Sequence, residues 1–365
     1  MNRILIIASG NGTKPYVPEL MDAMRERGFD VDFFDISASG SLGSRRVAEF
    51  LISLPWIGLR IRAFLLRLRL RAVPDDYSSV NMHMIEPVFS LLARPLKRKG
   101  AKLIASIWGS DFLRANARSL RLLGRTLSMA DLITSNNQAV LDGLASRFPS
   151  AASRLRLVRF GLKSLDAIER IMRSEGKASC KRRFDIPEGK VAVALGYNGS
   201  PAQQHVAMLG SLGALAEEHK RGIHFVLPMT YPDDPAYRED VRRAIRGSGL
   251  SVTVISDFLS GEDVARLRLA CDVCVNAQIT DSFSGSVQES LFAGNRLVVG
   301  SWLPYLFLRD FGVAFHSFDS IEEMPAALLR CIAEPELGES VHASEVIGAL
   351  SRWNSVVADW ERLYA

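Results

Sequence analysis

Two carboxylates, Asp281 and Glu289, flank a run of small and hydroxyl-bearing residues in the stretch TDSFSGSVQESLFAGN, residues 280–295. Ser286 and Glu289 have the S-x-x-E spacing of a capping box. Apolar Val287, Leu291 and Phe292 follow, with Gly294 as a stop, so a short helix is expected to begin here. Capping accounts for Glu289 and leaves Asp281 unexplained. A helix start also turns unpaired backbone N–H groups and the positive end of the helix dipole outward, which suits an anion such as phosphate. Ser284, Gly285 and Ser286 are the residues placed to meet it.

Other polar residues collect after short apolar runs. The first run leads into Ser9-Gly10-Asn11-Gly12-Thr13-Lys14, where Gly10 and Gly12 let backbone approach a ligand and Lys14 adds a positive charge. This turn is neither G-x-G-x-x-G nor a Walker A loop. NMHMIEP contributes His83 and Glu86, and SIWGSDF ends in Gly109, Ser110 and Asp111. Further on, LGYNGSPAQQH offers Asn198, Gly199 and His205, LPMTYPDD offers Thr230, and ISDFLS offers Asp257 and Phe258. So many polar run ends are hard to explain by packing alone.

The runs themselves define the architecture. RILIIA (3–8), VDFFDI (31–36), KLIASIW (102–108), DLITS (131–135) and RLRLV (155–159) alternate with helical patterns. KVAVALG (190–196), GIHFVLP (222–228), SVTVIS (251–256), DVCVNA (272–277) and RLVVGS (296–301) repeat the alternation. Such series imply βαβ crossovers and parallel sheets covered on both faces, so the expected fold class is α/β with two doubly wound, Rossmann-like domains. The polar stretch from Gly161 to Arg183 is expected to join them. Domains at 1–165 and 166–340 follow, with a C-terminal helix, 341–365, packing back on the first. Ligands in such folds sit at the carboxyl ends of strands, which places the expected site in a cleft between the domains.

A chain of 365 residues is long enough for two full cores. No apolar run reaches the roughly 18 residues of a membrane span, and the first residues read as a strand rather than a secretion signal. A cytoplasmic protein, soluble or peripheral, is expected. The four cysteines are scattered, and the lone CxxC at Cys271 and Cys274 lies in an apolar run without further ligands, so no metal site is expected. The net charge of +5 hides an asymmetry: residues 1–180 carry 28 Lys and Arg against 16 Asp and Glu, and the remainder 17 against 24. The basic half lacks zinc-finger spacing, an RNP-like aromatic pattern and a heptad zipper, so no nucleic-acid partner is expected. An anionic membrane surface or a phosphorylated substrate fits better. The basic segment Leu42–Arg71 holds seven arginines, among them Arg60, Arg62, Arg67, Arg69 and Arg71, against Glu49 alone. They are interleaved with Trp56 and other apolar residues, the composition of an interfacial anchor.

The stretch DSFSGSVQESLFAG, between a strand and RLVVGS, resembles the signature of retaining GT-B glycosyltransferases of family 4, in which an acid, seven residues and a Glu precede a helix and a Gly. The preceding SDFLSGEDVARLRLACDVCVNAQ is similar to the same family's loop, helix and strand. Trp108-Gly109-Ser110-Asp111 and Pro228-Met229-Thr230-Tyr231-Pro232 resemble elements of the bacterial transferases that add 4-acetamido-4,6-dideoxygalactose in enterobacterial common antigen assembly. The resemblance implies that Glu289 binds the ribose hydroxyls of a nucleoside-diphosphate sugar, Asp281 the sugar hydroxyls, and the helix start the diphosphate. It further implies sugar transfer to a glycan or lipid-linked acceptor without a metal cofactor, in which His83 and Asp111 orient a substrate. The family's Arg and Lys on the diphosphate are replaced by Gly196-Tyr197-Asn198-Gly199-Ser200-Pro201, so Lys14, His205 and basic residues of the front half are the candidates for that task. Two other functions use the same architecture: a nucleotide-sugar epimerase or hydrolase, and a non-catalytic subunit of a polysaccharide assembly.

Overall fold

The computed structural model describes residues 3–10, 15–37, 57–334 and 340–365. The chain divides into two compact units, one of residues 1–161 with 353–365 and the other of residues 162–352. The sequence reading places these boundaries at 165/166 and 340/341; the helix Ser340–Ser351 goes with the second unit, and the helix Trp353–Tyr364 returns to the first.

Six parallel strands form the first unit's sheet: β1 (Arg3–Ala8), β2 (Asp30–Asp35), β3 (Tyr77–His83), β4 (Gly100–Ile107), β5 (Leu132–Ser135) and β6 (Leu155–Leu157), in the order β2-β1-β3-β4-β5-β6. β1 is an Ile- and Leu-rich run buried on both sides, as a central parallel strand requires. The helices Gly58–Leu70, Phe89–Lys97, Ala117–Leu127 and Gln138–Arg147 cover one face through Leu66, Leu92, Leu123 and Leu144. Tyr16–Glu26 and Trp353–Tyr364 cover the other through Leu20, Met24 and Trp360.

β3 is absent from the apolar runs read in the sequence. Its segment, YSSVNMH, buries Ser79, Asn81 and His83. Asn81 donates to the Tyr364 hydroxyl at 2.7 Å and accepts from the Ser106 hydroxyl at 2.9 Å, which in turn accepts from Thr134 at 2.8 Å. Asn81, in the middle of this central strand, is therefore satisfied by side chains of β4 and the last helix, which offsets the cost of burying its amide.

The second unit repeats the plan with β7 (Val191–Leu195), β8 (Ile223–Pro228), β9 (Val252–Ile255), β10 (Val273–Asn276), β11 (Arg296–Gly300) and β12 (His316–Phe318), all parallel. The order is β12-β11-β10-β7-β8-β9. The winding reverses between β7 and β10, which pair through Val193 and Val273. In open α/β sheets, the crevice outside the carboxyl ends of such a strand pair is the ligand position.

Candidate functional site

Tyr197 and Asn198 follow β7, and Gln278 and the 280–284 loop follow β10, so both groups stand at this reversal point. The loop feeds the helix Gly285–Phe292. Ser284 is its cap: the Ser284 hydroxyl accepts the Val287 N–H at 3.4 Å. This corrects the capping-box expectation. With the cap at Ser284, the position that would reach back is Val287, and Ser286 and Glu289 fall inside the helix. Phe283, just before the cap, takes a positive φ of 80°, an unusual conformation for a residue with a side chain. Its ring is packed against Tyr305 and Phe307, and its carbonyl accepts from Gln288 Nε2 at 2.8 Å.

Asp281 is the hub of the loop. Its Oδ2 accepts the Tyr305 hydroxyl at 2.6 Å and Asn276 Nδ2 at 3.0 Å, and its Oδ1 accepts the Ser282 N–H at 2.7 Å. The Ser284 hydroxyl is a fourth nearby donor. Burial nevertheless pushes the carboxyl above its usual range. Tyr305, fully buried, also accepts the Ser284 N–H at 3.3 Å, so one hydroxyl ties the two ends of the loop together. Beside it, the Tyr197 hydroxyl donates to Gln278 Oε1, which also takes Gln203 Nε2 at 2.9 Å, and burial together with the Asp281 charge drives Tyr197 well above the usual tyrosine range.

Glu289 is held from the preceding helix, Gly261–Ala270. Arg268 approaches Oε2 from both Nε and Nη2 at 3.1 Å, with the two side chains only 8% and 13% exposed. Oε1 takes no part in that pair. Tyr231, after β8, lies near the same pair, with its hydroxyl on Asn198, and the Gly199 N–H donates to the Tyr231 carbonyl at 2.6 Å. The ends of β7, β8 and β10 thus converge with the helix start on one edge of the second sheet. Thr230 is half-buried there, Asp257 is exposed, and Phe258 is 84% exposed.

The first unit also gathers candidate residues at its strand ends. Gly10 donates its N–H to Asp35 Oδ1 at 3.0 Å, while Gly12 and Lys14 lie outside the described residues. Asp111 accepts the N–H groups of Ile85 at 2.8 Å and Trp108 at 3.0 Å, pinning the segments after β3 and β4 to one another. Burial raises its pKa to about 6 even so. His83 is fully buried among Trp108, Phe160 and Trp360, with ring centroids 5.8–6.2 Å away; burial depresses its pKa to about 3, and neither ring nitrogen has a partner among the described residues.

Residues 10–162 match the family model described as Glycosyltransferase Family 4. The chain is a glycosyltransferase. Its fold agrees: a glycosyltransferase from Rickettsia africae superposes with a TM-score of 0.72 at 12% identity, covering 99% of this chain and 97% of that one. Sucrose-phosphate synthase from Thermosynechococcus elongatus gives 0.76 at 14% identity over 100% and 98% of the two chains. The Anabaena protein HepE in complex with UDP-glucose gives 0.70 at 14% over 99% and 98%. The architecture shared is GT-B, with two Rossmann-like domains. No curated protein sequence matches the chain.

Within this glycosyltransferase several of the expected site residues are engaged by the protein itself. A carboxylate offers about four acceptor positions. Donors from Tyr305, Asn276 and Ser282 occupy three of those of Asp281, which ties it to its own loop. His205 is fully buried, with Nδ1 3.2 Å from the Tyr237 hydroxyl and a pKa depressed to about 4 by burial. It is therefore neutral at pH 7 and brings no charge to a diphosphate. His83 is enclosed in the first unit's core, and Asp111 is engaged by backbone N–H groups. Arg62 pairs with Glu86 at 2.6 Å and the Arg69 guanidinium lies 4.7 Å from the Phe34 ring centroid, so both are engaged inside the first unit; Arg60, Arg67 and Arg71 are exposed, and Trp56 lies outside the described residues.

Four residues at the second unit's edge escaped the sequence reading: Arg268, Tyr197, Tyr231 and Tyr305. The tyrosines were visible as aromatic hydroxyls in run-end segments, in YNGS, TYPDD and LPY. Arg268 carried no such signal. Among the described residues no cluster of three or more His, Cys, Asp or Glu is placed to hold a metal, and no helix is long and apolar enough to cross a membrane.

Proposed function

We propose that this glycosyltransferase moves a sugar from a nucleoside-diphosphate sugar to a glycan or lipid-linked acceptor, with retention at the anomeric carbon and without a metal. The setting is bacterial surface polysaccharide assembly, as in capsule, O-antigen or exopolysaccharide, at the inner face of the cytoplasmic membrane. The observation that carries the donor assignment is the position of the Asp281–Glu289 segment: a capped helix start at the β7–β10 reversal, with a half-buried Glu that keeps one oxygen clear of its Arg. Glu289 Oε1 accepts a ribose hydroxyl. The first-turn N–H groups of Gly285 and Ser286 receive diphosphate oxygens, with the helix dipole behind them. Asp281 acts through the loop, fixing the helix start where negative charge develops as the nucleoside diphosphate leaves. Because that departing phosphate can take the acceptor's proton, a retaining transfer of this kind needs no strong enzyme base.

HepE was crystallised with UDP-glucose, and a Burkholderia xenovorans trehalose-phosphate synthase of the same fold is UDP-forming. UDP-sugars therefore lead a thermal-shift panel that also includes ADP- and GDP-sugars. A ligand at about 100 times its Kd adds roughly 2.7 kcal/mol of stability. Release of nucleoside diphosphate together with a glycosylated acceptor supports transfer. Release with free sugar alone points to a hydrolase, and no stabilisation by any sugar nucleotide removes the assignment.

A further inference from the structure

Three helices of the first unit, Gly58–Leu70, Phe89–Lys97 and Ala117–Leu127, contain no acidic residue. All three lie on one face of the sheet, because Leu66, Leu92 and Leu123 enter the same core, and each packs against the next. Their outer sides therefore form one continuous surface. Arg60, Arg67 and Arg71 are exposed on the first helix and its end. Arg94 and Arg98 are exposed on the second, and Arg118, Arg121 and Arg125, at i, i+3 and i+7, share the outward side of the third.

None of these eight forms a salt bridge among the described residues, whereas neighbouring bases are neutralised inside the unit: Arg62 by Glu86, Lys97 by Asp131 and Lys99 by Asp75. Charge of one sign gathered on one side repels itself and attracts an anionic partner. Apolar side chains distinguish the kinds of partner. Ile57, Phe64 and Leu68 are 53%, 59% and 40% exposed on the outward side of the first helix, between its arginines. A soluble polyanion makes no use of them. A bilayer supplies phosphates for the guanidinium groups and an acyl boundary for the apolar side chains.

We infer that this three-helix face docks on an anionic lipid bilayer, with Phe64 and Leu68 entering the headgroup boundary and the arginines of all three helices on lipid phosphates. The inference rests on the membrane setting proposed above. It extends that setting from one basic segment to a face, and adds the third helix, Ala117–Leu127.

The test is co-sedimentation of the full chain with phosphatidylcholine vesicles, with and without phosphatidylglycerol, alongside heparin as a soluble polyanion. Removing Arg118, Arg121 and Arg125 together (each Arg→Gln) should weaken binding to anionic vesicles by on the order of a hundredfold at low salt, at about fivefold per arginine. Phe64→Ser with Leu68→Ser should weaken vesicle binding and leave heparin binding unchanged. Wild-type affinity for anionic vesicles in the arginine triple variant overturns the three-helix face. Wild-type vesicle affinity in the apolar double variant overturns lipid in favour of a polyanion. Melting temperatures confirm that the variants fold, and the sugar-nucleotide thermal shift, recorded on the same samples, reports the donor site separately. A preserved shift with no vesicle binding sinks the docking alone; vesicle binding with no shift sinks the donor assignment alone.

Discussion

Removing one oxygen atom from Tyr305 probes how the donor loop is held. The hydroxyl donates to Asp281 Oδ2 at 2.6 Å and accepts the Ser284 N–H at 3.3 Å, on a side chain with no exposure to water. A hydrogen bond to a charged group contributes about 1.5–3 kcal/mol, and a stranded N–H costs about 1 kcal/mol or more. Tyr305→Phe keeps the ring that packs on Phe283, so any loss belongs to the hydroxyl. The expected result is a loss of about 2–4 kcal/mol in urea unfolding of the second unit with little change in m. Asp281 loses a donor to its ionised form, so its carboxyl, already raised by burial, should rise further. Turnover should fall by about tenfold or more, because the segment carrying the phosphate-facing N–H groups is less well positioned. In a double-mutant cycle with Asp281→Asn the two changes should couple by about 1–3 kcal/mol. Stability within about 0.5 kcal/mol of wild type, or a strictly additive cycle, would refute the view that Asp281 and Tyr305 act as one unit.

Arg268→Ala leaves Glu289, whose side chain is only 13% exposed, without its partner and should destabilise by about 2–4 kcal/mol, read by denaturant titration, whereas a surface ion pair would cost under about 1 kcal/mol. Asp281→Asn should weaken binding of the free nucleoside diphosphate and of the intact sugar nucleotide alike, since the loop carries both; calorimetry showing a loss confined to the intact donor would restore a direct sugar contact. His83 and His205 are held by burial at about 3 and about 4, while unfolded histidine titrates near 6.5. Between those values the unfolded chain binds protons that the folded chain does not, so each makes stability fall as pH drops from about 6.5 toward 4, by about 1.4 kcal/mol per pH unit. Asp111, raised to about 6, binds its proton more readily when folded and so opposes one of these slopes over the same range. His83→Phe should therefore flatten the acid limb by about one proton, measured as urea midpoints at pH 5 and pH 7.

The sequence was most readable where a strand is simply apolar. RILIIA and KVAVALG announce β1 and β7 because buried parallel strands carry Ile, Val and Leu on both faces. β3 was opaque for the converse reason: Ser79 and Asn81 read as surface until Tyr364 and Ser106 arrive to satisfy them, and Tyr364 is 283 residues from Asn81. β12 is only three residues, HSF, too short to show an alternation. At the site, the acidic pair and the helix start were legible as a local pattern. Their partners were not, because Tyr305 reaches Asp281 across 24 residues and Arg268 reaches Glu289 across 21, through βα connections that a linear reading does not close. The same gap led Ser286 to be read as the cap, where the strained Phe283 sets Ser284 in that place.

The measurement that tests the central claim most directly is calorimetric titration of UDP-, ADP- and GDP-sugars into the wild-type chain and into Glu289→Ala. Wild type should bind at least one sugar nucleotide, and the variant, with an unchanged circular dichroism spectrum, should lose at least about tenfold in affinity through loss of the ribose contact, a charge-assisted hydrogen bond. No binding by wild type, or equal affinity in a folded variant, would contradict the assignment of the Asp281–Glu289 segment as the donor site.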